Sequence, residues 1–210
     1  LNSFASLTKR LSGERVAQEL RKILMHKDCA PAVVLFHETG LDRASLSCDL
    51  VVEGLPSNSQ HLGMVTQDFG WLVLLASILP QSDVARVLQR LRLRRFEQSF
   101  CGQLALSNPV QIFAKLSAPN WQRSAYFMDG RAAAYFACAA WRLGKTLNPQ
   151  HYQLLNSWQA PQLPISGSDL LSHGVDIGPA LGQMLSVAER LWVESDFALT
   201  KPALLKAVAK

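Results

Sequence analysis

The chain reads as all-α, and three observations carry that reading. Helix start and stop signals recur from end to end. The apolar residues between them fall at the three-and-four spacing of a helix face. No strand pattern of comparable quality appears, and Asp129-Gly130 lies between helical segments, so it links no alternating runs as a hairpin turn would.

Taken in order, Ser12 is placed to cap a helix whose apolar face is Val16, Leu20, Ile23 and Leu24, with Arg15, Glu19 and Lys22 on its other sides. Clustered Pro and Ser predict a loop over 48–60. The longest apolar run, 71–79, is interrupted by Ser77 and closed by Pro80. Ser82 is expected to cap an Arg-rich helix in which Val84, Val87, Leu88 and Leu91 take the apolar side. Asn108-Pro109 and Asn148-Pro149 are cap-plus-first-position pairs, since Pro at the first helical position gives up a donor that has no partner anyway. Gly144 ends the preceding helix as its C′ residue. A second Pro- and Ser-rich loop, 159–167, sets off a C-terminal subdomain that opens with a short helix from Ser166 to His173. A turn on Gly174 and Gly178 follows, then a long helix begun by Pro179 with apolar positions 181, 184, 185, 188, 191 and 192. Asp196-Phe197 close that helix, and Thr200 starts the last one.

Length and composition bound the rest. At 210 residues the chain can bury one core or two small packed ones. Its hydrophobic content of 49% and mean hydropathy of +0.08 suit a helix-rich soluble protein. The 71–79 run is far short of the roughly 20 residues a spanning helix needs. No basic region, apolar stretch and cleavage site open the chain, so no secretory signal and no membrane association are expected. Cys29, Cys48, Cys101 and Cys138 form no C-x-x-C pair and read as structural thiols, which suits a reducing, cytoplasmic setting. The net charge is +5, and Arg86, Arg90, Arg92, Arg94 and Arg95 crowd into ten residues. Such a balance is compatible with nucleic acid.

Two ordered motifs carry a resemblance. Near the start, Leu11-Ser12-Gly13-Glu14-Arg15-Val16 runs on through Glu19-Leu20 and Ile23-Leu24. Near the end, Ile165, Ser166, Gly167, Asp169, Leu170, Gly174, Gly178, Pro179 and Gly182 stand in fixed order before a long helix and a short tail. Together they resemble the class II CCA-adding tRNA nucleotidyltransferases, a family that includes bacterial poly(A) polymerases. The first motif is similar to the family's neck segment, in which Glu14, Arg15 and Glu19 match, and PAVVLFHETGL at 31–41 is similar to the helix after it. In the second, Asp169 and Pro179 match; Ile177 stands where the family often has proline.

The resemblance implies an end of neck over 1–28, a helical body over 29–160 and a tail over 161–210. It implies a catalytic head that lies outside these residues and continues the encoded sequence upstream. The intact parent would add C, C and A to tRNA 3′ ends from CTP and ATP with Mg²⁺, and this part would grip the acceptor and TΨC arms. Poly(A) addition and a non-catalytic helical interaction module are the alternatives.

Nucleotidyl transfer needs paired carboxylates that hold Mg²⁺ ions, and the superfamily supplies them from a Gly-Ser and an Asp-x-Asp on a strand. No Asp-x-Asp occurs here. Gly167-Ser168-Asp169 instead reads as a capping box, Asp169 returning a hydrogen bond to Ser166. Gly144-Lys145-Thr146 lacks the earlier glycine of a P-loop. His26, His37, His61, His151 and His173 are isolated in sequence and propose no metal site. The 210-residue stretch is therefore expected to bind no cofactor and to be inactive alone.

RNA contact is expected elsewhere. Arg86, Arg90 and Arg94, spaced i, i+4, i+8, are expected on one helical face, with Arg95 beside them and only Glu97 to offset them. A phosphate backbone or a solvated face would each account for them. At the helix begun by Pro179, Gly182 leaves space for a close neighbour, either RNA phosphate or the preceding helix, and Gly178 and Gln183 are expected to contact RNA beside it. Trp121 and Trp158, beside Pro119 and Pro161, are the two tryptophans able to stack on bases, whereas Trp141 and Trp192 sit on core stripes.

Overall fold

The computed structural model describes residues 11–26, 28–53, 55 and 69–208. His61, and residues 54 and 56–60 of the 48–60 loop, lie outside the described residues. Among the described residues the regular structure is helical throughout, with no strand.

Two compact units divide the chain. The first comprises 1–114 and 131–156, the second 115–130 and 157–210. Residues 115–130 therefore fold with the C-terminal stretch and not with their sequence neighbours.

In the first unit, α1 (Gly13–Leu24) is capped by Ser12, whose Oγ accepts the Arg15 N–H at 3.3 Å. Val16, Leu20 and Leu24 are buried on its inner face. Then come α2 (Cys29–Glu38), α3 (Leu41–Leu46) and α4 (Gly70–Ile78). Every residue of α4 is buried, as expected of a helix apolar all round. It packs against α1, α6 (Arg95–Leu106) and α9 (Ala132–Arg142) and so forms the centre of this core. Each buried Leu or Ile of α4 contributes about 1.5–3 kcal/mol of burial. No single described helix is long and apolar enough to cross a membrane.

Ser82 does not cap α5 (Val84–Leu91); it lies inside a 3₁₀ turn, Gln81–Asp83, that leads into the helix. Val84, Val87, Leu88 and Leu91 are buried as the spacing predicts. Asn108 Oδ1 accepts the Gln111 N–H at 3.1 Å before α7 (Pro109–Ser117), and Asn148 Oδ1 accepts the Gln150 and His151 N–H groups before α10 (Pro149–Ser157). Gly144, at φ 62°, ends α9 as its C′ residue.

The second unit holds α8 (Trp121–Tyr126), α11 (Gly167–Ser172), α12 (Pro179–Glu194) and α13 (Lys201–Val208). Helix α12 packs on the other three. Its stripe of Leu181, Met184, Leu185, Ala188, Leu191 and Trp192 joins Ile165, Leu170, Leu204 and Leu205 in one core. The capping box of α11 forms as the sequence predicts: the Ser166 N–H donates to Asp169 Oδ2 at 2.9 Å.

Candidate nucleic-acid interface

In the first unit, the neck-like motif and the Arg cluster prove to be one site. Arg90 Nη2 donates to the Leu11 carbonyl at 2.8 Å, and Arg92 Nη1 lies 3.2 Å from Glu14 Oε1. Between these contacts Gly13 meets the backbone of Arg90 so closely that a Cβ would stand 1.9 Å from its carbonyl oxygen. The motif thus needs Gly at that step for a backbone approach, and not for a left-handed φ. The Glu14 carboxyl is held below its usual range, first by its own first-turn N–H and then by Arg92.

This geometry corrects two expectations. Arg86, Arg90 and Arg94 do not share one helical face, because α5 stops at Leu91 and Arg92 turns left-handed at φ 50°. Arg94 becomes the N-cap of α6, its N–H donating to Glu97 Oε2 at 3.0 Å, and Arg95 is the first residue of that helix. Nor is Glu97 the sole offsetting acid, since Arg86 pairs with Asp83 and also donates to the Ser47 carbonyl, while Arg92 pairs with Glu14. Sequence spacing could not anticipate these partners, because Leu11 and Glu14 lie almost eighty residues away.

The cations therefore sort into two groups. Arg86, Arg90 and Arg92 are engaged within the unit. Arg94 and Arg95 are exposed and form no ion pair with a described residue. Arg94 and Arg92 line a groove of about 220 Å³ with Arg21, Gln18, Glu14 and Glu97, floored by Trp71 and Leu91. Arg15 and Glu19 are exposed on α1, Glu19 paired with Lys22 at 2.9 Å.

In the second unit, Gly178 is the N-cap of α12, and Gly182 and Gln183 lie exposed in its first turns. A Cβ at Gly178 or Gly182 would have nothing within 4 Å, so the preceding helix does not occupy that space. Asp169 also receives Lys201 Nζ at 2.6 Å; Lys201 foremost, with the Ser166 N–H and hydroxyl, holds its carboxyl down to about 2. Trp121 is buried, whereas Trp158 is half-buried with its ring 5.5 Å from that of Trp121.

The His37 side chain is not isolated in space. Its Nδ1 lies 2.6 Å from Asp42 Oδ2, and with Asp49 the three form the cluster among the described residues whose spacing would suit a cation. The donor set argues against Mg²⁺ there. Asp42 is fully buried and already accepts the Arg43 and Leu50 N–H groups, and Asp49 pairs with Arg43 at 2.9 Å. Asp42 ties the end of α2 to the extended chain at Leu50. The four thiols are free and buried, and burial pushes each one up: Cys48 and Cys138 to about 12, Cys29 and Cys101 in the same direction. They are protonated, weakly nucleophilic core groups.

Residues 1–45 match the family model described as "Probable RNA and SrmB- binding site of polymerase A". The chain is 27% identical over 218 residues to the CCA-adding enzyme of Limosilactobacillus fermentum, covering 98% of this chain and 52% of that protein. It is 26% identical over 214 residues to the mitochondrial CCA tRNA nucleotidyltransferase 1 of Homo sapiens, covering 95% and 46%. The Danio rerio counterpart is 25% identical over 210 residues, covering 95% and 47%. The chain spans about half the length of the curated relatives it matches.

Proposed function

From the premise that these matches support a C-terminal part of a CCA-adding enzyme and poly(A) polymerase family protein, we propose that the chain is the tRNA-gripping portion of a tRNA nucleotidyltransferase. The intact protein would add C, C and A to tRNA 3′ ends from CTP and ATP, with Mg²⁺ held by carboxylates in a separate head. This chain contacts the acceptor and TΨC arms and contributes no catalytic carboxylate. A-form RNA hides its base edges in a deep major groove, so such a grip reads phosphates and 2′-hydroxyls.

The observation that carries this reading is the pair Arg94 and Arg95. Both are exposed, without an ion-pair partner among the described residues, and next to the structure built by the RNA-binding-site segment. The open first turns of α12 at Gly178, Gly182 and Gln183 support it too, since a helix N-terminus favours phosphate. Poly(A) addition is the sister reading, favoured by the "polymerase A" of the matched description.

The test is tRNA binding followed by fluorescence anisotropy across a salt series. Changing Arg94 and Arg95 together to Gln removes up to two phosphate contacts, which flattens the log–log salt slope by about 1.4–1.8. Arg90→Gln acts differently: it loosens the Leu11 contact and lowers stability. An unchanged slope in the Arg94/Arg95 double variant would return these residues to a solvated face.

A further inference from the structure

We propose that a cleft in the second unit, walled by Trp158, Phe197, Pro119 and Pro161, takes one unpaired RNA base and prefers bases that carry an exocyclic amine. The inference rests on the RNA-binding reading and adds a site to it.

The cleft encloses about 510 Å³, within the roughly 300–1,000 Å³ typical of small-ligand sites. Its aromatic walls are fixed from behind. Trp158 stands edge-on to the buried Trp121, with centroids 5.5 Å apart and planes at 73°. The Phe197 ring is held edge-on by Trp192 at 5.1 Å and leaned on by Tyr126 at 5.6 Å. Tyr126 is in turn anchored to Glu189 at 2.9 Å. The Trp158 and Phe197 rings lie 6.2 Å apart at 45°, so they open as a wedge and not as a closed stack. A planar guest can lie on either face.

The backbone that delivers Phe197 is strained. Asp196 and Phe197 take φ 54° and 63°, two consecutive non-glycine residues in the left-handed region. Such strain persists only where the surroundings enforce it, and it clusters at functional sites. Arg123 supplies the enforcement: Nε and Nη2 each donate to one Asp196 oxygen at 2.6 Å.

The rim has the polarity of a base edge. Asp196 is neutralised by Arg123, so it does not repel a phosphate chain, yet each carboxylate oxygen keeps lone pairs to accept an amine hydrogen. An Asp beside a base accepts from an amino group, as at cytosine N4. The Asn120 and Gln122 side chains also line the cleft, and neither forms a hydrogen bond to a described residue. They can donate and accept on the remaining edge. Proline-rich peptides also dock on aromatic grooves, but a polyproline guest has no N–H for Asp196 to accept, whereas adenine, cytosine and guanine do. Because bases in a duplex are stacked away from such a wedge, the guest is an unpaired nucleotide in a loop, bulge or end.

The experiment titrates the 210-residue chain with unstructured 12-mers of oligo(rA), oligo(rC) and oligo(rU), and with tRNA, following tryptophan emission and anisotropy. The expected result is quenching by oligo(rA) and oligo(rC), with weaker binding of oligo(rU). Trp158→Ala should weaken oligo(rA) binding about 5- to 100-fold and remove most of the quenching. Trp158→Phe, which keeps a stacking face, should retain most of the affinity and so guards against a folding artefact. Salt-dependent tRNA binding that persists while Trp158→Ala matches the parent on every oligomer would overturn this site alone. Loss of all RNA binding by the parent would overturn the site together with the reading beneath it. Quenching by a proline-rich peptide but by no oligomer would assign the cleft to protein.

Discussion

Gly13→Ala tests the packing on which the first unit's site depends. Elsewhere in a helix this exchange stabilises by about 0.4–1 kcal/mol through the unfolded chain. Here the new Cβ would stand 1.9 Å from the Arg90 carbonyl oxygen, where contacts below 3.0 Å are essentially never seen. The obstacle is backbone, so α1 and the end of α5 must part by at least about 1.1 Å. That opening stretches the 2.8 Å contact from Arg90 to the Leu11 carbonyl beyond hydrogen-bonding range. A lost charge-assisted bond costs about 1.5–3 kcal/mol, and overpacking costs about 1–3 kcal/mol. Less the propensity gain, the net loss is about 1.5–5.5 kcal/mol. In urea unfolding followed by circular dichroism, with an m-value of about 2 kcal/mol/M, this lowers the midpoint by about 1–3 M. Gly182→Ala is the internal control: its Cβ meets nothing within 4 Å, and it should stabilise by about 0.5–1 kcal/mol. A Gly13→Ala chain within about 0.5 kcal/mol of the parent, the range of a neutral surface change, would refute the close approach and with it the union of motif and Arg cluster.

Two further outcomes follow from the second unit and from the donor chemistry. The Asp169 carboxyl is depressed from 3.8 to about 2 in the folded chain, so its stabilisation is complete above the unfolded value and lost as pH falls through about 2. The stability gap between the parent and Asp169→Asn in thermal melts should therefore be full at neutral pH and close between those two values; a gap that closes near neutrality would refute the Lys201–Ser166 clasp. Incubated with tRNA lacking its terminal A, labelled ATP and Mg²⁺, the chain should incorporate no label; incorporation abolished by Asp169→Asn would move the active site into these residues.

Much of the fold was legible because its signals are local. Ser12, Asn108, Asn148 and the Ser166–Asp169 box cap the helices they precede, each needing only residues within one turn. The stripe from Leu181 to Trp192 faces the second core as its spacing demands. The failures share one cause. Ser82 looked like a cap, yet the chain interposed a 3₁₀ turn, a tertiary adjustment that propensity does not encode. Arg94 looked like the third member of a helical row, yet Arg92 breaks the helix in a conformation that residue type gives little reason to expect. The Trp158 cleft was half visible in the two Trp-Pro neighbourhoods, but its second wall comes from Phe197, almost forty residues further along, and only the fold of 115–130 onto 157–210 brings Pro119, Asn120 and Gln122 to it.

The Arg cluster shows why charge density in a sequence is a poor measure of charge offered to a partner. Arg86, Arg90 and Arg92 are committed to Asp83, the Ser47 and Leu11 carbonyls and Glu14. A phosphate recruiting any of them must first break an internal contact. Arg94 and Arg95 carry no such debt among the described residues. The committed cations have a different use, since they lock the neck-like motif to the α5–α6 corner and thereby fix where the two open guanidinium groups stand. Under the proposed RNA-binding reading, substitutions at 90 and 92 would act on RNA binding through stability and position, and those at 94 and 95 through counterion release. The two effects separate experimentally because only the second changes the salt slope.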